Sequence, residues 1–152
     1  MTLVAAALFA AACDGDGLTD TEREASGIYA LTAINGLPLP FTVGRPCGES
    51  AEEGYLELGE ENRFFVTLRI ANPVCPEETD DWTGTGIWTV LDGNVRLVSD
   101  LGSQQFVLFG AAPATFTGTD VRAAGTLEVV GYEGDPVRPT LRPVQVTFTF
   151  TK

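Results

Sequence analysis

The chain has 152 residues, nine Lys and Arg against 21 Asp and Glu, no histidine, and a formal net charge of −12. That balance excludes nucleic acid as a partner, because phosphate binding needs clustered cations, and the missing imidazole excludes Ser-His-Asp and Cys-His catalysis and removes the commonest metal ligand. With 44% apolar residues the chain is too hydrophobic to be disordered, and its length suits one domain with one core.

Residues 1–13, MTLVAAALFAAAC, form an apolar run that ends in small residues and a cysteine. A spanning helix needs roughly 20 apolar residues, so this run is too short to cross a bilayer but suits a signal-peptide core. Ala10-Ala11-Ala12-Cys13 resembles a bacterial lipobox, in which the cysteine is acylated and becomes the mature N-terminus. The resemblance implies a signal peptide over residues 1–12, lipidation of Cys13, and a bacterial cell-envelope location, lipid-anchored at the outer membrane or facing the periplasm.

Residues 14–26, DGDGLTDTEREAS, are acidic and hold no apolar period, so residues 13–26 read as a flexible tether. Asp14, Asp16, Gly17 and Asp20 fall where a calcium loop places two ligands, its glycine and a further ligand. On that register the first and twelfth ligand positions are Ala12 and Arg23, which removes both ends of the site.

The domain is expected over residues 27–152. Residues 28–34 read as a strand before Asn35-Gly36, the strongest short-range hairpin signal. The return limb over 37–43 carries Pro38 and Pro40, which confine it to an edge strand or a loop across a barrel mouth. Residues 45–54 read as a polar loop with a short helical turn at 49–53. Strands are expected over 55–58 and 63–70, the second with Phe64, Val66, Leu68 and Ile70 on one face. In the next, 82–90, Trp82, Trp88 and Val90 share a face, and Gly84 and Gly86 permit a bend or bulge. Asp92-Gly93 turns the chain into 94–98. Segments 104–110 and 114–120 flank an Ala-Ala-Pro turn, 125–132 is a strand, 133–142 a proline-broken loop, and 143–151 alternates strictly, with Phe148 and Phe150 on one face.

No stretch after Cys13 sustains a 3.6-residue period, so the fold class is all-β, with about eight to ten short strands. Short hairpins between sequential strands favour an antiparallel up-and-down barrel over a sandwich. Gly27-Ile28-Tyr29-Ala30-Leu31, the following Asn35-Gly36-Leu37-Pro38-Leu39-Pro40, the later Thr85-Gly86-Ile87-Trp88-Thr89-Val90 and the terminal Val146-Thr147-Phe148-Thr149-Phe150 resemble small lipocalin-like bacterial lipoproteins. The resemblance implies the barrel and the envelope location, and no particular activity.

If Cys13 carries lipid, Cys47 and Cys75 remain as a pair in an oxidising compartment, each beside proline in loop-like sequence. A Cys47–Cys75 disulfide would contribute roughly 3 kcal/mol in the chain-entropy model. The acidic run Glu77, Glu78, Asp80, Asp81 reads as solvated surface, with calcium as the alternative. Thr83-Gly84-Thr85-Gly86 lies in a strand pattern with no helix after it, so it is no phosphate loop. The sequence therefore offers no catalytic or metal site, no cofactor, and the expectation of a monomer that is not an enzyme. The remaining candidate site is the barrel interior, with Phe64, Val66, Trp82, Trp88, Phe148 and Phe150 facing inward. Those six either hold a small hydrophobic ligand or fill the core, leaving a structural or protein-interaction role.

Overall fold

Asn35-Gly36 and Asp92-Gly93 turn the chain as their composition demands. All four residues take positive φ, 53° and 75° in the first pair and 53° and 74° in the second, the geometry of a type I′ hairpin that matches strand twist. The computed structural model describes residues 17–42, 49–71, 80–101, 105–110, 112–131 and 140–152. Its elements are α1 (Asp20–Ala25), β1 (Gly27–Ile34), β2 (Leu37–Pro38), β3 (Phe41–Thr42), β4 (Ser50–Leu58), β5 (Arg63–Ala71), β6 (Asp80–Leu91), β7 (Asn94–Ser99), β8 (Val107–Phe109), β9 (Pro113–Phe116), β10 (Asp120–Gly131) and β11 (Thr140–Thr151).

Eight of these strands close an antiparallel barrel, in the ring order β1, β4, β5, β6, β7, β9, β10, β11, and β11 returns to β1. The expected up-and-down barrel is therefore the observed fold, with β2, β3 and β8 added. Closure removes the unpaired edges that an open sheet of this length would expose. The side-chain period of two places Phe64, Val66, Leu68 and Ile70 of β5 in the core and their neighbours outside.

The chain departs from its expected local structure in several places. Residues 49–53 form no helical turn, because β4 begins at Ser50. A register shift between Ala51 and Glu53 puts two successive glutamates outward, and so disguises the alternation. Gly84 and Gly86 make no bulge, since the β5–β6 pairing runs unbroken from Arg63↔Ile87 to Ile70↔Asp80. They are needed for close approach instead: a Cβ on Gly84 would lie 2.1 Å from the Val107 carbonyl oxygen. β10 starts five residues earlier than expected because its inward positions there, Val121, Ala123 and Gly125, are too small to advertise a strand. β11 likewise starts at Thr140, and Pro143 is tolerated because β1 pairs only with the stretch from Phe148 onward.

The second half of the expected tether is ordered. Thr19 caps α1 by a capping box, accepting from the Glu22 N–H while the Glu22 carboxylate accepts from the Thr19 N–H at 2.9 Å. A six-residue helix is unstable alone. Tertiary contacts hold it: Leu18 and Ala25 are buried in the core, and the Tyr29 hydroxyl donates to the Ala25 carbonyl oxygen. Lys152 clasps the same corner, its ammonium donating to the carbonyls of Glu24 and Ser26 and lying 5.3 Å from the Tyr29 ring. Helix α1 thus covers one end of the barrel. The strand ends at Thr42, Ser50, Ala71, Asp80, Gly131 and Thr140 stand at the other. The signal-peptide region, Cys13, Cys47, Cys75, Glu77 and Glu78 lie outside the described residues.

The wall position between β7 and β10 is made of two pieces. β9 fills it beside β7, and β8 fills it further along β10, where β7 has ended. Facing β6 there, the Phe106 N–H donates to the Thr83 carbonyl. The Gln105 side chain does the rest, accepting from the Thr85 N–H at 2.9 Å and donating to the Asp100 carbonyl at 3.2 Å. Gln105, buried and polar, thereby satisfies backbone groups that no strand reaches.

Candidate functional site

β5 carries Phe64 and Val66 inward, β6 carries Trp82 and Trp88, and β11 carries Phe148 and Phe150; all six are at most 3% exposed. They do not converge on one spot. Phe64, Phe148 and Phe150 form a chain of rings through Phe109 of β8, with successive centroids 5.6, 5.6 and 5.7 Å apart. The first two contacts are edge-to-face, the arrangement that ring quadrupoles favour. Trp82 stacks on Phe106 at 5.5 Å, towards the strand ends opposite α1, whereas Trp88 sits near α1 and donates its indole N–H to the Gly59 carbonyl at 2.9 Å. Phe106 and Phe109 complete the interior and were not singled out from the sequence. The alternation of Val107 and Phe109 about Leu108 is the signal that carries Phe109; Phe106 has the opposite parity and is half-buried, so no period marks it. Leu39 and Phe41, from the Pro38 to Phe41 segment expected at the mouth, pack against this core.

Titratable groups with displaced pKa lie away from these rings. The Thr19 backbone N–H holds the Glu22 carboxyl below its ordinary value, helped by the Thr19 hydroxyl and by Asn62 against the opposing effect of burial. Burial pushes the Tyr29 hydroxyl up to about 12, with Glu24 adding to the rise. The hydrogen bonds of Arg63 hold Asp100 low and raise Arg63 in turn. Burial pushes Glu49 up, and its Oε2 has no hydrogen-bond partner among the described residues. Among the described residues no group of three or more Cys, Asp or Glu stands close enough to hold a metal ion.

Concavities occur on the outside of the barrel. A cleft of about 410 Å³ opens on the β4–β5–β6 wall between Tyr55, Phe65, Thr67, Thr83 and Arg69. Arg69 is held there by Glu53 at 2.6 Å and faces Asp81 at 3.8 Å. Tyr55 and Phe65, with ring centroids 6.1 Å apart, stand on neighbouring strands and point away from the core. Two further hollows, of about 250 and 400 Å³, continue towards α1 across Glu57, Glu60 and Glu61. No sequence pattern marks this surface, since its residues come from different strands and meet only through pairing. No family model, no curated protein and no solved structure matches the chain.

Proposed function

We propose that this protein is an exported, lipid-anchored barrel of the bacterial cell envelope, similar to small lipocalin-like lipoproteins, that works as a non-enzymatic binding module through its outer wall. The observation that carries the reading is the unbroken chain of ring contacts inside, Phe64 to Phe109 to Phe148 to Phe150, which occupies the space where a small apolar ligand would sit. Barrels of eight strands are just wide enough for side chains to fill. The Ala10 to Cys13 segment supplies the anchor, and the chain entering through α1 leaves the opposite strand ends facing away from the membrane.

A Cys47–Cys75 disulfide belongs to the same reading. Ser50 pairs with both Thr42 and Ala71, so the strand ends flanking the two cysteine-bearing segments are neighbours. Native mass spectrometry of the full chain purified from membranes tests these points together. The expected spectrum shows acylation at Cys13, the Cys47–Cys75 bond and no retained small molecule. A stoichiometric apolar compound that survives gentle desolvation would overturn the outer-wall reading in favour of a ligand held in the barrel, and an unmodified Cys13 would overturn the anchor.

A further inference from the structure

We infer that the outer groove along β4 and β5 binds an extended cationic peptide segment of a partner protein, one whose wall-facing positions, every second residue, alternate Lys or Arg with apolar residues. The inference rests on the outer-wall reading and gives its partner a chemistry.

The three hollows adjoin one another along the wall. The two nearer α1 share Glu57, Glu60 and Glu61, and the middle one shares Phe65 with the cleft at Tyr55 and Arg69. Pairing sets an outward row across the wall, Ile28 of β1 opposite Glu57 of β4, and Glu57 opposite Phe65 of β5. Ile28 is 63% exposed and Tyr55 38% exposed, and Phe65 is half-buried beside them. The Glu57 carboxylate is therefore flanked on both sides by apolar surface.

Charge decides what fits. Glu57, Glu60 and Glu61 are exposed and make no ion pair among the described residues. The groove's two cations are already engaged, Arg63 by Asp100 and Arg69 by Glu53 and Asp81. The surface that remains is anionic and bordered by apolar side chains. A Lys or Arg side chain suits it in both parts: its methylene stem covers Ile28 and Phe65 while its head reaches Glu57 and meets the Tyr55 and Phe65 rings. An anionic lipid surface is repelled. A second copy of the chain, at net charge −12, brings the same acidic wall. Outward residues on β4 recur every second position, Glu53, Tyr55 and Glu57, so an extended ligand with the same period of two meets them in register.

The test uses the full chain and three synthetic nonapeptides with Ser at every even position, so that the odd positions share one face: Lys and Leu in turn (Lys-Leu), Lys and Gly in turn (Lys-Gly), and Glu and Leu in turn (Glu-Leu). Fluorescence anisotropy gives affinity at low and high salt, and amide chemical shifts give the site. The Lys-Leu peptide is expected to bind, to weaken with salt, and to shift amides over residues 53–65. Replacing Glu57, Glu60 and Glu61 together by Gln should weaken it by about tenfold, because exposed ion pairs are individually small. Ile28→Thr and Tyr55→Thr should each weaken it while leaving the circular dichroism unchanged. A control that removes Asp92, Asp120 and Glu128 as their amides should leave binding intact. Equal loss in that control, equal binding of the Lys-Gly peptide, or no binding of the Lys-Leu peptide would each overturn the inference. An empty barrel with a groove that fails to bind sinks only this inference, whereas a retained apolar molecule sinks the reading beneath it.

Discussion

Gly86→Ala is expected to be the most damaging single-methyl change in this barrel. Gly86 faces inward on β6 between β5 and β7, paired with Phe64 on one side and Ser99 on the other. A Cβ there would lie 2.1 Å from the Val98 carbonyl oxygen and 2.4 Å from Cε1 of Phe64. The Phe64 ring has no room to retreat, because its far side is held by Phe109 at 5.6 Å. Overpacking a core costs typically 1–3 kcal/mol, and a clash against backbone and a pinned ring together belongs at the top of that range, about 3 kcal/mol. At roughly 4 °C per kcal/mol for a domain of this size, the midpoint should fall by about 12 °C in thermal unfolding followed by circular dichroism. Two reference variants separate the causes. A methyl group on Gly110 meets nothing within 4 Å, so Gly110→Ala should be nearly neutral. Gly93, at φ +74° in open space, isolates the conformational penalty of about 1–2 kcal/mol. A Gly86→Ala protein that melts no lower than Gly93→Ala would refute the packing of Phe64 against β6.

Glu22→Gln keeps the capping-box partner and removes its charge, so it should lower stability at pH 7 by about 0.3–1 kcal/mol, the usual worth of a negative charge in a helix's first turn. Because the folded-state pKa of Glu22 is depressed, its contribution is present above the unfolded glutamate pKa and lost as pH falls through the folded value. Urea titrations at pH 7, 5 and 3 should therefore converge for the two proteins at the acid end; parallel curves would rule out the depressed carboxylate. Gln105→Leu should cost about 1–3 kcal/mol, the penalty for leaving the Thr85 N–H and Asp100 carbonyl without partners. Hydrogen exchange at the Thr85 amide should accelerate in that variant, and unchanged exchange would deny Gln105 its bridging role.

Much of the barrel was legible because its strongest strands carry large inward side chains at period two. Phe64, Val66, Leu68 and Ile70 of β5 and Val146, Phe148 and Phe150 of β11 announce both the strand and its buried face. The hairpins were equally plain in Asn35-Gly36 and Asp92-Gly93. What escaped depends on pairing or on small residues. β4 hides behind its bulge at Ala51 to Glu53, the start of β10 behind Ala123 and Gly125, and α1 is too short to show a period although Thr19 and Glu22 spell a capping box. The inward faces of Trp82 and Trp88 were read correctly, but their separation along the barrel was not, since a shared face says nothing of a shared neighbour. The groove of Ile28, Tyr55 and Phe65 is a property of register between β1, β4 and β5, which no single stretch of sequence contains.

The two-piece wall between β7 and β10 makes the barrel mechanically uneven. On one side β10 and β11 are joined over twelve consecutive residue pairs, from Asp120↔Thr151 to Gly131↔Thr140. Between β6 and the chain entering β8, the described residues are joined by the Phe106 N–H to the Thr83 carbonyl, by the Gln105 side chain and by the Trp82–Phe106 ring stack rather than by a ladder. Shear along the first joint must break a whole ladder at once, whereas the second is held largely by side chains. The cylinder therefore has a built-in line of compliance, set apart from the groove on the β4–β5 side, where pairing is unbroken from Glu53↔Arg69 to Leu58↔Phe64.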